Sequence, residues 1–307
     1  MPSHRARLLK PVLRWLLKQR LRPAVPLWQQ RATVSIWAAF GHLPRGTLVE
    51  RLELAGRPAE RIRPKLLTSP TGEVLLLHGG GYCFGGLFSY RELAARLAHT
   101  AQRAVTVLDY RLAPEHPYPA AVDDAAAAWL ELTKSDDPPA TGIVGDSAGG
   151  GLTLATCLRL QTMDVPLPRC LGLISPWVDL THTGESLQRL SDRDPVISEA
   201  SLRQCAGRYA AGRDLRLPEL SPLFADLSGL PPTLIQVGSD EILLDDAIRL
   251  AEQIGSTATL EITPDLWHVW HLFASLVPES QTAIERLGQF LRQHAAAETA
   301  ASARDTP

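Results

Sequence analysis

The sequence predicts an α/β fold with a mostly parallel central sheet and helices on both faces. Short apolar runs at residues 74–77 and 104–108 have the length of buried strands. Stretches of helical period, such as residues 120–132, separate most of these runs. Because parallel strands need crossover connections, this alternation favours a sheet covered by helices on both sides.

The other elements follow the same pattern. Residues 51–54 and 61–67 are predicted to pair as two strands across Gly56-Arg57-Pro58. The remaining predicted strands are 143–144, 171–174, 234–237 and 260–262, and the remaining helices are 90–98, 148–160, 244–254 and 283–293.

Three segments depart from this alternation of strands and helices, and they set the predicted domain boundaries. Residues 1–49 are predicted to form an N-terminal helical cap segment, with a first helix that has Pro11 in its first turn and ends at Pro23. Residues 50–295 form the main domain, with an insertion at about 180–220 that contains a helix capped by Ser198. The last residues, 296–307, are predicted to be disordered.

Charge is distributed unevenly along the 307 residues, although the net charge is only −2. Residues 1–49 contain nine Lys and Arg and no Asp or Glu. Such a basic terminus is typical of contact with nucleic acid, an anionic membrane or a partner. No nucleic-acid motif is present, so nucleic acid is not an expected partner. Peripheral membrane contact and a homodimer remain open alternatives.

The sequence predicts a cytoplasmic protein. It contains no uninterrupted signal-peptide core and no apolar stretch long enough to cross a bilayer. The four cysteines are scattered, with the spacing of neither a metal site nor a disulfide framework, which favours free thiols. No cofactor or metal is expected.

The run Gly145-Asp146-Ser147-Ala148-Gly149 carries the first chemical signal. A strand leads into it and a helix begins after it, which is the context of a turn that raises a nucleophilic serine above a sheet. A glycine-rich turn of this composition also arises by chance. Here strand, turn and helix fall in the required order, so Ser147 is the predicted nucleophile.

A second run, His78-Gly79-Gly80-Gly81, follows another predicted strand. Backbone N–H groups of Gly79, Gly80 and Gly81, with that of Ala148, are predicted to form an oxyanion hole. A phosphate-binding turn is less well supported, because the sequence lacks both dinucleotide and Walker motifs. His78 is expected to brace the glycine turn.

With Asp109-Tyr110-Arg111-Leu112-Ala113-Pro114-Glu115-His116-Pro117, these runs resemble the bacterial hormone-sensitive lipase-like family of α/β hydrolases. The resemblance covers most of residues 50–295. It implies an α/β-hydrolase fold with a helical cap and carboxylesterase activity. It also implies that the Asp109 run supports the oxyanion turn, so Arg111 and Glu115 are interpreted as structural.

In proteins with this serine turn, the nucleophile, the acid and the histidine occur along the chain in the order Ser, acid, His. Candidates for the acid and the base therefore lie after Ser147. Asp240 lies just past a predicted strand end and is the predicted acid, and the family's strand–Asp–apolar pattern supports it. Glu241, Asp245 and Asp246 compete, but the last two fall on the following helix and are expected to face solvent or its N-terminus.

His268 is the predicted base, because it follows the last strand by a short loop; His271 is the reserve. The family usually has His-Gly-Phe at this position. Val269 and Trp270 depart from that pattern.

Substrate is less well defined by sequence. The resemblance implies carboxylic esters with short to medium acyl chains. Aromatic residues are more often core, but the candidates for an apolar substrate pocket are Trp37, Tyr82, Phe84, Trp177 and Trp267. A lactone or acetyl hydrolase is the alternative enzyme, and a non-catalytic ligand-binding protein of the same fold is a remote one.

Overall fold

The protein is described here from a computed structural model that covers residues 2–67, 72–134 and 140–295. Its strands are β1 (Thr47–Leu54), β2 (Arg57–Pro64), β3 (Glu73–Leu77), β4 (Ala104–Leu108), β5 (Ala140–Asp146), β6 (Cys170–Ile174), β7 (Thr233–Gly238) and β8 (Ala258–Thr263). Its helices are α1 (His4–Leu13), α2 (Leu27–Ala38), α3 (Leu87–Ala101), α4 (Ala120–Lys134), α5 (Ala148–Thr162), α6 (Ser186–Arg189), α7 (Glu199–Ala210), α8 (Leu244–Ile254) and α9 (Pro278–Ala295).

The eight strands form one sheet in the order β1-β2-β4-β3-β5-β6-β7-β8. β1 and β2 form the predicted antiparallel hairpin, and β2 is also antiparallel to β4. All other neighbours are parallel. The mostly parallel sheet predicted from the sequence is confirmed.

Alternation along the buried strands divides the core between the two faces of the sheet. On β3, Leu75 and Leu77 pack into the cluster that contains α4, α5 and α8. Their neighbours Val74 and Leu76 pack into the cluster that contains α3 and α9. Strands buried on both faces read as continuous apolar runs, which is why the sequence located them.

The N-terminal helix differs from its prediction. Pro11 lies inside α1 instead of in its first turn, and a π-helical turn, Arg14–Lys18, follows it. Proline has no N–H to donate to the preceding turn, so a break in regular helical bonding near it has a local cause. The predicted domain boundary at residue 49 falls inside β1.

The N-terminal helices lie against residues 190–205. The Lys18 ammonium donates to the carbonyl oxygens of Ser191 and Asp194, both at 2.8 Å. The Gln204 amide donates to the carbonyl of Pro23 at 3.2 Å. The helix predicted in this insertion is α7, and Ser198 caps it by accepting from the N–H of Ser201. The predicted tail at 296–307 lies outside the described residues.

Parallel strands place their carboxyl ends at one edge of the sheet, and the candidate chemistry lies there. Ser147 follows β5, and Asp240 and Glu241 follow β7. His268 lies on the connection after β8. Three positions distant in sequence therefore meet above the sheet.

Candidate active site

Ser147 occupies a tight turn between β5 and α5. Its backbone has φ 50° and ψ −120°, a conformation that L residues rarely adopt. The turn is held because the N–H of Ser147 donates to the carbonyl of Ile174 at 2.8 Å and its carbonyl accepts from Trp177 at 2.9 Å. The side chain is buried at the floor of a cavity.

Glycines make this turn sterically accessible. A Cβ on Gly149 would lie 1.9 Å from the carbonyl oxygen of Leu77, and one on Gly145 would lie 2.1 Å from that of Gly149. Neither position can hold a larger side chain without moving backbone. The small residues of the Gly-x-Ser-x-Gly run are therefore required by the close approach of α5 to β3 and β5.

The structure brings His268 to the serine. Its Nε2 lies 2.9 Å from the hydroxyl oxygen of Ser147, and the histidine is buried. The reserve candidate, His271, instead pairs through Nε2 with the side-chain oxygen of Gln236 at 3.0 Å. Burial lowers the pKa of His271 to about 3, so that imidazole is neutral and structural.

The carboxylate beside His268 is Glu241, and the prediction of Asp240 at this position is wrong. Glu241 Oε2 lies 2.9 Å from His268 Nδ1. Asp240 instead forms ion pairs with Lys10 of α1 and with Arg193, the latter at 2.7 Å. Adjacent residues in the turn after β7 project in different directions, and the side chain aimed at the histidine is the second one.

The other competing carboxylates also have defined places. Asp246 lies in the first turn of α8, but it does not face solvent, which corrects one of the two expectations. It is buried and accepts from the N–H groups of Val178 and Asp179 at 3.0 and 3.1 Å. Burial raises its pKa to about 7. Asp245 accepts from the N–H of Ser186 at 2.8 Å. Both lie away from the histidine's partners.

Glu241 is fully buried and held by two further donors. Its Oε1 accepts from the Ser175 hydroxyl at 2.9 Å and from the N–H of Gly238 at 2.5 Å. Ser175 also accepts from the N–H of Val269, next to the histidine. The sequence analysis kept Glu241 as a competing acid and did not single out Ser175. The available signal was the position of each near the carboxyl end of a strand, Ser175 directly after β6 and Glu241 three residues after β7.

Hydrogen bonding assigns the tautomer of His268. A carboxylate at Nδ1 favours a proton on that nitrogen, which leaves Nε2 free to accept from the serine hydroxyl. Burial by itself lowers the pKa of His268, but the hydrogen bond and charge of Glu241 outweigh it and raise that pKa above its usual 6.5. For Glu241, burial raises the pKa and the histidine opposes the rise.

The glycine turn after β3 faces the serine, but its N–H groups are not equivalent. The N–H of Gly79 donates to Asp146 Oδ1 at 2.8 Å and to the Tyr90 hydroxyl at 3.0 Å. Gly79 is therefore already bonded, contrary to its predicted place in the oxyanion hole. Within the described residues, the N–H groups of Gly80, Gly81 and Ala148 have no protein acceptor.

Several buried groups brace the glycine turn. The His78 ring lies between Tyr90 and Tyr110, stacked on the latter at 4.2 Å, and its Nδ1 lies 2.8 Å from the carbonyl of Gly79. Burial lowers the pKa of His78 to about 4. Asp146 is buried too, and burial raises its pKa to about 6 against the opposing donors Tyr90 and Gly79.

The structural interpretation of the Asp109 run fits the contacts of its two charged residues. Arg111 pairs with Asp124 at 2.7 Å. Glu115 pairs with Arg31 of α2, which also donates to the carbonyl of Cys83 beside the glycine turn. The second pair ties an N-terminal helix to the loop below it.

Ser147 opens into an apolar cavity of about 150 Å³. Phe84 lines it as predicted, and so does Trp37. Other apolar walls come from α2, α7 and the helical turn after His268, and they include Val34, Leu202 and Phe273.

Three of the predicted pocket residues are core instead. Tyr82 stacks on Tyr209 at 3.7 Å and is almost fully buried. Trp177 and Trp267 have no exposed surface and do not line the cavity. An aromatic residue near a catalytic motif can face either way, and residue type does not decide which.

A family model described as alpha/beta hydrolase fold matches residues 74–272, well over half of the chain. The chain belongs to the α/β-hydrolase family. An acetyl-hydrolase of Streptomyces hygroscopicus is 43% identical to this hydrolase over 260 residues, which cover 83% of this chain and 85% of that protein.

Solved structures narrow the placement of this α/β hydrolase. A crystal structure of an esterase from the bacterial hormone-sensitive lipase family matches it with a TM-score of 0.90 and 36% identity, covering 96% of this chain and 99% of that one. The esterase EstE5, from a crystal soaked with p-nitrophenyl butyrate, matches with a TM-score of 0.89 and 39% identity over the same shares. This hydrolase is an enzyme of the bacterial hormone-sensitive lipase-like group.

Proposed function

We propose that this α/β hydrolase is a serine carboxylesterase in which Ser147, His268 and Glu241 act together. The observation that carries the proposal is a continuous chain of contacts. His268 lies 2.9 Å from Ser147 on one side and 2.9 Å from Glu241 on the other. This is the geometry of an activated nucleophile, its base and a group that orients the base.

In the first step, the Ser147 oxygen attacks the ester carbonyl carbon while His268 Nε2 takes the hydroxyl proton. Glu241 stays ionised and stabilises the imidazolium that forms. His268 then gives its proton to the leaving alcohol, and the C–O bond to that alcohol breaks to leave an acyl-serine. In the second step, water attacks the acyl carbonyl carbon while His268 Nε2 takes one of its protons. The bond from that carbon to the Ser147 oxygen then breaks, His268 returns the proton to the serine oxygen, and the acid is released.

The negative charge that develops on the carbonyl oxygen needs donors that are not already engaged. The N–H groups of Gly80, Gly81 and Ala148, which have no acceptor among the described residues, are the proposed donors. In related chemistry each such donor lowers the activation barrier by roughly 3 kcal/mol. Gly79 instead fixes the turn through Asp146, so its proposed role is to position its neighbours.

Carboxylic esters with acyl chains of short to medium length are the proposed substrates. The cavity of about 150 Å³ is small beside the roughly 300–1,000 Å³ of pockets for drug-sized ligands. Its walls are mainly apolar, which suits an acyl chain. The Streptomyces relative is named an acetyl-hydrolase, which favours acetyl esters as a second candidate within the same chemistry. A lactone hydrolase remains a third.

The test is a series of p-nitrophenyl esters from acetate to octanoate, together with a lactone panel. We expect turnover to peak at a short acyl chain, and Ser147→Ala to lower kcat/KM by about 10⁴-fold or more without changing the melting temperature. Unchanged turnover in Ser147→Ala would overturn the serine mechanism. Absence of any turnover by the wild-type protein would favour a ligand-binding role.

A further inference from the structure

Large apolar side chains are exposed mainly on the N-terminal helices. Sixteen of the described residues are exposed large hydrophobics, and eight of these lie between residues 8 and 43. Trp15 is 75% exposed and Trp28 is 69% exposed. Single exposed apolar residues are normal, but a concentration that includes two tryptophans marks an interaction surface.

The exposed residues follow helical spacing. On α1 and the turn after it, Leu8, Val12 and Trp15 lie one turn apart. On α2 and the turn after it, Trp28, Ile36 and Phe40 lie at intervals of eight and four residues. We call these six side chains the outer apolar surface.

α2 carries apolar side chains on two of its sides. Val34 and Trp37 face inward and line the cavity. A surface helix normally keeps its apolar side inward and its polar side in water. On α2, Trp28 and Ile36 also face outward, so apolar surface stays exposed after the inward side has packed.

Exposed basic residues accompany the outer apolar surface. Arg5, Arg7 and Arg20 are exposed. Within the described residues, they have no acidic partner. Residues 1–49 contain no Asp or Glu to neutralise them. Apolar side chains with tryptophan beside unpaired cations are the composition of a helix that lies in the interface of an anionic membrane.

The same helices form part of the wall of the cavity above Ser147. Leu17 and Leu21 line it from the N-terminal helical segment, and Trp37 and Phe40 line it from α2 and its end. Phe40 therefore belongs both to the outer apolar surface and to the cavity wall. A bilayer on this surface would lie next to the cavity.

We propose that the outer apolar surface and its arginines dock this enzyme on an anionic lipid bilayer. No described helix is long and apolar enough to span a membrane, so the contact is peripheral. The alternative occupant is a second copy of the chain. Arg5, Arg7 and Arg20, which have no acidic partner among the described residues, favour an anionic lipid surface over an identical basic surface.

The experiment is flotation with vesicles of neutral phosphatidylcholine, or of the same lipid with a third phosphatidylglycerol. It uses full-length Ser147→Ala protein, so that binding is measured apart from hydrolysis. We expect flotation only with anionic vesicles, weakening as salt is added. The triple variant Arg5→Gln/Arg7→Gln/Arg20→Gln should weaken partitioning roughly 100-fold, since each of the three cations near such a surface contributes about a fivefold factor.

Apolar contact is tested by Trp15→Ser/Trp28→Ser, which should reduce partitioning roughly tenfold or more. Met163→Ser/Leu217→Ser, which alters exposed apolar residues elsewhere, should leave it unchanged. Arg5→Lys/Arg7→Lys/Arg20→Lys should retain binding. Equal flotation on neutral vesicles, or none on either, would overturn the proposal. A dimer in sedimentation that Trp15→Ser/Trp28→Ser dissociates, without vesicle binding, would assign the surface to a second copy.

Discussion

Which carboxylate serves His268 depends on the conformation of one turn. Asp240 and Glu241 are adjacent in sequence, yet one pairs with Lys10 and Arg193 while the other contacts the histidine. The sequence places both just past a strand end. It cannot specify which of two neighbouring side chains projects inward, because that depends on backbone angles set by the surrounding loops.

The contact with Glu241 predicts the acid limb of the pH profile. His268 must be neutral to accept the serine proton, so kcat/KM should rise with pH through the pKa of that histidine. Because Glu241 raises this pKa, the inflection should lie above 6.5 in the wild-type enzyme. Glu241→Gln removes the charge but keeps the burial, which lowers the pKa, so its inflection should move to lower pH.

The pH profile would be measured on residual activity with p-nitrophenyl butyrate. Asp240→Asn provides the matched control, because it also removes one buried carboxylate charge from the same turn. Its inflection should stay near that of the wild-type enzyme. An inflection that moves in Asp240→Asn and not in Glu241→Gln would contradict the assignment.

The turn that holds Ser147 depends on how closely α5 approaches β3. Gly149 has the carbonyl of Leu77 where a Cβ would lie, whereas Gly207 on α7 has nothing within 4 Å. Both are helical glycines, so they form a matched pair. The first is required by packing, and the second incurs only the entropic cost of glycine in a helix.

Alanine at these two positions should have opposite effects on stability. Gly149→Ala should lower the free energy of unfolding by about 3 kcal/mol or more, because backbone must move to relieve the contact. Gly207→Ala should raise it by about 1 kcal/mol. Urea denaturation would measure both. Similar effects at the two positions would show that the close approach is not as the structure has it.

Elements with a strong local pattern were predicted well. β4 and α8 have the predicted bounds, and α7 begins after its predicted cap Ser198. Pro11 was misplaced because the rule for proline in a first helical turn is local. In the structure, α1 continues through Pro11 while Leu13 and, in the π-helical turn that follows, Leu17 pack into a buried cluster, so tertiary contacts override the local preference.

The cavity above Ser147 lies between the N-terminal helices and the α/β core. Ser147 and His268 could be located from motif order alone. The sequence could not show which aromatic residues are core and which line the cavity, because that difference exists only once the two parts are packed together. The core residues are Tyr82, Trp177 and Trp267, and the cavity residues are Phe84 and Trp37.

Trp37 should control the acyl chain length that the cavity accepts. On the cavity wall, its ring packs edge-on against those of Phe40 and Phe273, with ring centroids 6.2 Å apart in each pair. Trp37→Ala should shift the preferred p-nitrophenyl ester toward longer chains by enlarging the cavity. Trp15→Ala removes an exposed tryptophan from the neighbouring helical segment and should leave the order of preference unchanged. The prediction fails if both variants give the wild-type order.

The proposed mechanism requires Glu241, and not Asp240, to orient His268 beside Ser147. The most direct test is kcat/KM for p-nitrophenyl butyrate in Glu241→Gln and in Asp240→Asn, side by side. Glu241→Gln should lose about 10³- to 10⁴-fold, as expected when the orienting acid of such a site is neutralised. Asp240→Asn should stay close to wild type, because Asp240 pairs with Lys10 and Arg193 and not with His268. The reverse order, with Asp240→Asn the severe variant, would contradict the account.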